Sequence, residues 1–189
     1  MPRRLFIAID LPKQVCWNLA RLLEQPPRGV RPVRPGQMHL TLHFLGDVAD
    51  EARAVLPAAL ARVTFEPFTI AIRGTGMFPP RGRPTVLWAG VTDSVPLAAL
   101  HGGIGVALES CGLAIERRPY VPHVTLARLT PAVSRVWTGR LLGESAGLHV
   151  DAIPVDRFTL YRSDRRDGAT EHTAEARFPP TRAEQGPAS

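Results

Sequence analysis

The sequence predicts an α+β fold, with sheets backed by helices, arranged as two similar halves. Short apolar runs of strand length outnumber the helical patterns, which favours strands and helices in separate layers over a doubly wound nucleotide fold. Neither a glycine-rich dinucleotide fingerprint nor a phosphate-loop lysine motif follows any of these runs. A tetrapeptide, His39-Leu40-Thr41-Leu42, returns as His123-Val124-Thr125-Leu126 after 84 residues. Two copies in strand-like surroundings point to half-domains related by a rough internal twofold.

In chain order, Leu5 to Ile9 is an apolar strand stopped by Asp10-Leu11-Pro12. A helix follows, with Pro12 near its first turn and Val15, Leu19, Leu22 and Leu23 on one face, ending before Pro26-Pro27. The Pro/Arg/Gly-rich segment through Gly36 reads as a loop, and Met38 to Leu45 as a strand closed by Gly46-Asp47. Ala52, Val55, Leu56 and Leu60 mark a second helix, which Pro57 kinks or shifts. Phe65 to Ile72 alternates as a strand; Gly74-Thr75-Gly76 then opens a loop that carries Arg81 and Arg83. Val86 to Val91 is a strand, and Leu97, Leu100, Ile104 and Leu108 space a third helix. The second His-x-Thr strand follows, then a short helix around Val133 to Leu142, a strand at Phe158 to Tyr161 and an edge strand at Ala174 to Phe178. One domain over residues 1–178 is expected, with 179–189 a disordered tail that lacks anchoring apolar residues.

The 189 residues suffice for one well-filled core. Cys16 and Cys111 stand far apart inside helical patterns, which suits free thiols in a reducing, cytoplasmic compartment. No apolar run approaches the roughly 18 residues of a membrane span, and the five apolar residues after Met1-Pro2-Arg3-Arg4 are too few for a signal peptide. The net charge of +6 comes almost wholly from arginine, Lys13 being the one lysine. Arginine's planar fork suits phosphate, though such a surplus is equally an ordinary solvated surface.

The chemistry lies in the paired motif. Alternation along a strand puts His39 and Thr41 on one face, and likewise His123 and Thr125, opposite Leu40, Leu42 and Phe44 or Val124 and Leu126 on the core side. If the two strands face each other, two imidazoles and two hydroxyls converge on one small anion. A phosphodiester fits, because its hydrolysis needs a base for the attacking water and an acid for the departing oxygen. Histidine serves both near neutrality, and threonine hydroxyls can donate to nonbridging oxygens. The residues alone leave three readings open: a catalytic pair, metal ligands, or ordinary sheet positions.

The chain resembles the 2H phosphoesterase superfamily, and within it the bacterial and archaeal RNA 2',3'-cyclic phosphodiesterases formerly called 2'-5' RNA ligases. The resemblance rests on Arg4 to Ile9, Met38 to Gly46, Val86 to Val91 and Pro119 to Arg128. It implies a bilobal fold of pseudo-symmetric antiparallel sheets around a positively charged cleft. By the same resemblance His39 protonates the 3'-oxygen, His123 activates water, and Thr41, Thr125 and Arg128 hold the phosphoryl group. The implied product is a 2'-phosphate, made without metal or other cofactor by a cytoplasmic monomer acting on RNA ends, tRNA fragments or small nucleotides. Reverse 2'-5' end joining and a noncatalytic RNA-binding role are the alternatives.

Further candidate RNA contacts are Arg31 and Arg34 before the first motif, Arg81 and Arg83 in the Gly/Pro-rich loop, and His43 on the expected His39 face. Phe78, Tyr120, Trp88 and Phe158 are candidate base platforms, with Trp88 expected in the core. His101, His149 and His172 show no partnered spacing and read as structural or exposed. Relatives often carry an aromatic residue near Glu171-His172-Thr173, where this chain has no tyrosine or phenylalanine.

Overall fold

The computed structural model describes residues 3–116, 118–166 and 169–179. The backbone runs β1 (Arg3–Asp10), α1 (Lys13–Arg21), β2 (Val30–Pro32), a 3-10 turn (Pro35–Gln37), β3 (His39–Val48), α2 (Asp50–Leu60), β4 (Phe68–Phe78) and β5 (Val86–Val91). It continues through α3 (Val95–Ser110), β6 (His123–Leu129), α4 (Arg135–Glu144), β7 (His149–Val155), β8 (Phe158–Arg166) and β9 (Ala169–Phe178). All nine strands join one sheet in the order β7-β4-β5-β6-β3-β1-β8-β9, with β2 also against β6. Every pairing is antiparallel. The two expected halves are therefore the wings of one sheet, β7-β4-β5-β6 and β3-β1-β8-β9, joined at the pair Leu40–Val124.

Local chemistry accounts for the helices. Pro12 precedes the first turn of α1, whose Val15, Cys16 and Leu19 are buried. Ser94 caps α3 by accepting the Leu97 N–H at 3.4 Å, and Leu97, Leu100, Ile104 and Leu108 form its buried stripe. Ser134 caps α4 through Val136 in the same way. Pro57 is tolerated inside α2 on its exposed side, and Leu56 and Leu60 still reach the core.

Both motif strands bulge at the same place. Beside β1, His43 faces Ile7 and Thr41 faces Ala8, so Leu42 is an extra residue; beside β5, Ala127 faces Leu87 and Thr125 faces Trp88, so Leu126 is extra. The insertion turns two successive side chains toward the core and returns the next to the opposite face. His39 to Phe44 and His123 to Arg128 consequently share one burial sequence: half-buried, buried, half-buried, buried, buried, exposed. Leu40 and Val124, which alternate with the motif residues, are fully buried. Truncating Leu40 to Ala would cost roughly 2–5 kcal/mol, so the core that holds the wings together also anchors the motifs.

Several expectations change. Phe44 is 66% exposed, because regular alternation stops at the bulge. The segment before Gly36 contains β2 and the 3-10 turn, recruited by pairing with β6. Gly74 to Gly76 continues β4 through a bulge at Gly74, whose φ of +57° glycine accepts without strain. β4 begins at Phe68, and β7, not anticipated, pairs with it. β9 is the expected edge strand, at greater length. Of the tail, residues 180–189 lie outside the described residues.

Candidate functional site

An antiparallel pair with Leu40 against Val124 sets Thr41 across from His123 and Thr125 across from His39. The four polar groups of the two motifs thus surround the seam between the wings, each histidine facing the other motif's threonine. Their core-side neighbours Leu40, Leu42, Val124 and Leu126 are buried, which leaves the motif residues to the opposite, cleft face.

His39 is held by aromatic contacts from β1, β8 and β9. Phe6 stacks on it at 4.8 Å, His172 meets it edge-on at 5.4 Å, and Tyr161 lies parallel at 6.3 Å. Asp10 pairs with His39 in the β1–β3 register and accepts hydrogen bonds from the hydroxyls of Thr159, at 2.9 Å, and Tyr161. Burial lowers the His39 pKa to about 4, helped by the like charge of His172; a backbone hydrogen bond at Gln37 and the Asp10 charge act the other way. The charge of His123 also lowers it slightly, as expected of two rings at one seam.

His123 donates its Nδ1–H to the Val121 carbonyl at 2.7 Å, which leaves Nε2 as the ring's proton acceptor. Phe78 meets the ring edge-on at 4.9 Å, and Trp88 lies 6.2 Å away. Burial lowers its pKa; the Val121 hydrogen bond opposes this, and Arg128 adds to it. Both imidazoles are therefore neutral near pH 7 in the free protein.

The matched bulges expose where the wings differ. Asp10, opposite His39, has Gly90 as its counterpart opposite His123. A Cβ at Gly90 would lie 2.7 Å from the Arg73 carbonyl oxygen, so no carboxylate side chain fits there. Phe44, opposite Phe6, has Arg128 as its counterpart opposite Val86. The His39 wing carries a carboxylate and an aromatic ring where the His123 wing carries neither but a guanidinium.

Arg128 returns to the cleft face through the bulge, and Arg31 of β2 lies directly opposite it, both exposed. Opposite residues share a face, and like charges so placed repel unless an anion lies between them. Arg34 is exposed beside the 3-10 turn, and Arg81 is exposed in the hairpin that begins at Phe78. Arg83 lines a small hollow with Thr130, Val133 and Arg135 instead of the histidine cleft. A larger apolar hollow, lined by Phe65, Phe68, Pro96 and Leu100, contains none of the motif residues.

Three expected contacts are corrected. The bulge at Leu42 turns His43 into the core, where it is 5% exposed, stacks on His101 at 4.1 Å and donates from Nε2 to the His101 carbonyl at 2.9 Å. Tyr120 is half-buried, stacks on His101 at 4.0 Å and donates its hydroxyl to the Thr41 carbonyl at 3.0 Å, so it braces the motif strand. Phe158 is wholly buried in the core. Trp88, conversely, is half-buried beside His123 and Phe78. His149 is exposed and paired with Asp151, as a surface residue should be.

His172 is the neighbour of His39 that sequence reasoning missed. It sits on β9, packs at 4.8 Å against Phe6, and has a buried Nδ1 with no hydrogen-bond partner. The absence of tyrosine or phenylalanine there was the available signal, since imidazole is itself aromatic.

Comparison with known proteins agrees with this geometry. The family model for LigT-like phosphoesterases matches twice in tandem, at residues 9–88 and 91–170, once for each motif. The RNA 2',3'-cyclic phosphodiesterase of Thermus thermophilus is 34% identical over 186 residues, covering 93% of this chain and 89% of that protein. The Escherichia coli protein of the same name is 30% identical over 181 residues, covering 91% and 93%. The crystal structure of E. coli LigT complexed with 3'-AMP superposes with a TM-score of 0.78 at 30% identity, covering 94% of this chain and 98% of that one. With tandem family matches across both motifs and relatives at this identity along nearly its whole length, the chain belongs to the LigT-like phosphoesterase family.

Proposed function

We propose that this protein hydrolyses RNA 2',3'-cyclic phosphate ends to 2'-phosphate ends by metal-free acid–base catalysis, with His39 as acid and His123 as base. The observation that carries this reading is the cross-register of the two motifs about Leu40–Val124, which gathers both imidazoles and both threonines at one seam. The names of the relatives, RNA 2',3'-cyclic phosphodiesterase, support the same substrate class.

The unequal wings support the assignment of roles. Burial lowers the pKa of both rings; the carboxylate beside His39 opposes that lowering, whereas the guanidinium near His123 adds to it. His123 Nε2 takes a proton from water as the water oxygen bonds to phosphorus. The bond from phosphorus to O3' breaks, and His39 gives its proton to O3'. The product carries a 2'-phosphate and a free 3'-hydroxyl, and proton exchange with solvent restores both rings. Thr41, Thr125 and Arg128 donate to the phosphoryl oxygens as charge builds there. The cyclic phosphate is itself an anion, so its arrival raises the pKa of His39 from the low value that burial imposes.

RNA ends, tRNA fragments and small cyclic nucleotides all present this group. We infer a monomer acting in the cytoplasm, a compartment suited to the free thiols of Cys16 and Cys111. The test is hydrolysis of a 2',3'-cyclic phosphate after thorough chelation, with identification of the product. Release of the 2'-phosphate, and a loss of roughly 10²- to 10⁴-fold in kcat in His39→Ala and in His123→Ala, is expected. A requirement for added metal, a 3'-phosphate product, or near-normal turnover in both variants would overturn the mechanism.

A further inference from the structure

The matched bulges assign equivalent places on the cleft face to Phe44 and Arg128, yet one is an apolar ring and the other a cation. Phe44 is 66% exposed, although it lies within a buried motif strand. Its neighbour Phe6 is 3% exposed, being covered by His39, Tyr161 and His172. Phe6 lies 6.4 Å from Phe44 and 4.8 Å from His39, so Phe44 borders the ring that stacks on the acid histidine. Among the described aromatic residues around His39, Phe44 is the exposed one.

On the other wing, Arg128 and Arg31 lie opposite each other on the same face. A nucleotide has an apolar, stackable base at one end and charged phosphate at the other. A cleft with an open ring on one wing and paired guanidinium groups on the other matches that polarity.

Resting on the function proposed above, we propose that Phe44 is the platform on which the 3'-terminal nucleobase stacks, so that the terminal nucleotide lies on the His39 wing and the phosphate side faces Arg128 and Arg31. Stacking on an aromatic ring tolerates every base, because each has a π-face. The enzyme therefore prefers a base-bearing substrate without selecting strongly among bases. Such an interaction is made equally in the ground and transition states, and it affects KM more than kcat.

The experiment compares wild type, Phe44→Ala and Phe44→Trp on adenosine 2',3'-cyclic phosphate and on base-free ribose 2,3-cyclic phosphate. In Phe44→Ala the preference for the adenosine compound, as a ratio of kcat/KM values, should fall about 10- to 100-fold, carried by KM. Phe44→Trp should restore it. An unchanged preference in Phe44→Ala, or an equal loss on both compounds, would overturn the platform. Calorimetric titration of adenosine 2'-phosphate and ribose 2-phosphate gives the same comparison without turnover. Inactivity of the wild type on both cyclic compounds would count against the hydrolytic function, and the calorimetric preference would still decide the role of Phe44.

Discussion

Replacing Asp10 with asparagine tests the assignment of acid and base roles, because it removes a charge while keeping the shape. Asp10 and His39 are opposite residues of β1 and β3, and the carboxylate is fixed by the Thr159 and Tyr161 hydroxyls. Side chains so placed put the carboxylate roughly 6 Å from the imidazole, and at an effective dielectric of about 20 the attraction is at most about 3 kcal/mol. Taking about half of that limit as the working figure, about 1.5 kcal/mol, gives about one pKa unit. Removing the negative neighbour lowers the His39 pKa, and the acid loses its proton at lower pH. The alkaline limb of the kcat–pH profile should therefore move down by about one unit, giving roughly a tenfold loss at a fixed pH on that limb. The acid limb, set by His123, should stay in place. Tyr161→Phe, which keeps the carboxylate, should leave the alkaline limb where it is. An unmoved alkaline limb in Asp10→Asn would refute the role of the carboxylate, and a shift of the acid limb instead would exchange the two histidines.

His172→Phe keeps an aromatic edge against His39 but removes a like charge, so the same alkaline limb should move to higher pH; an unchanged profile would leave His172 a packing residue only. Arg128→Lys retains charge and loses the planar fork, and kcat/KM should fall on the order of tenfold or more, whereas unchanged kinetics in both Arg128→Lys and Arg128→Ala would remove it from the site. The stacked His43–His101 pair should make the fold acid-sensitive. Burial lowers both pKa values, that of His101 to about 4 with help from the His43 charge, so the unfolded chain binds more protons between about pH 6.5 and 4, and stability falls as pH drops through that window. Since His101 is only half-buried, its share is on the order of 1–2 kcal/mol. Urea midpoints measured against pH should flatten across that window in His43→Leu, and an equal slope in both proteins would contradict the assignment.

His39 and its aromatic surroundings come from four strands separated widely in the chain: His39 on β3, Phe6 on β1, Tyr161 on β8 and His172 on β9. No spacing rule joins residues 6, 39, 161 and 172, so His172 read as an isolated histidine until β9 lay beside β8. His43 and Phe44 failed for a different reason. Alternation was the correct rule for His39 to Thr41, but one inserted residue exchanged the faces of everything beyond it. A bulge is chosen by pairing with the neighbouring strand, and local composition does not announce it. The loop expected before Gly36 likewise became strand only because β6 had a free edge beyond its contact with β3.

Sequence alone determined the α+β class, most of the strands and helices, the duplication, and the identity of the four motif residues. Those features are local: apolar periodicity sets each element, capping and proline set its ends, and a repeated tetrapeptide is visible wherever it folds. Tertiary structure decided that the halves form one sheet joined at Leu40–Val124, that Arg31 lies opposite Arg128, and that the wings are unequal at Asp10 and Gly90 and at Phe44 and Arg128. The physical reason is that charge and stacking act through space between strands whose register is fixed only when the whole core is buried, and a one-residue bulge is enough to decide which side chains meet.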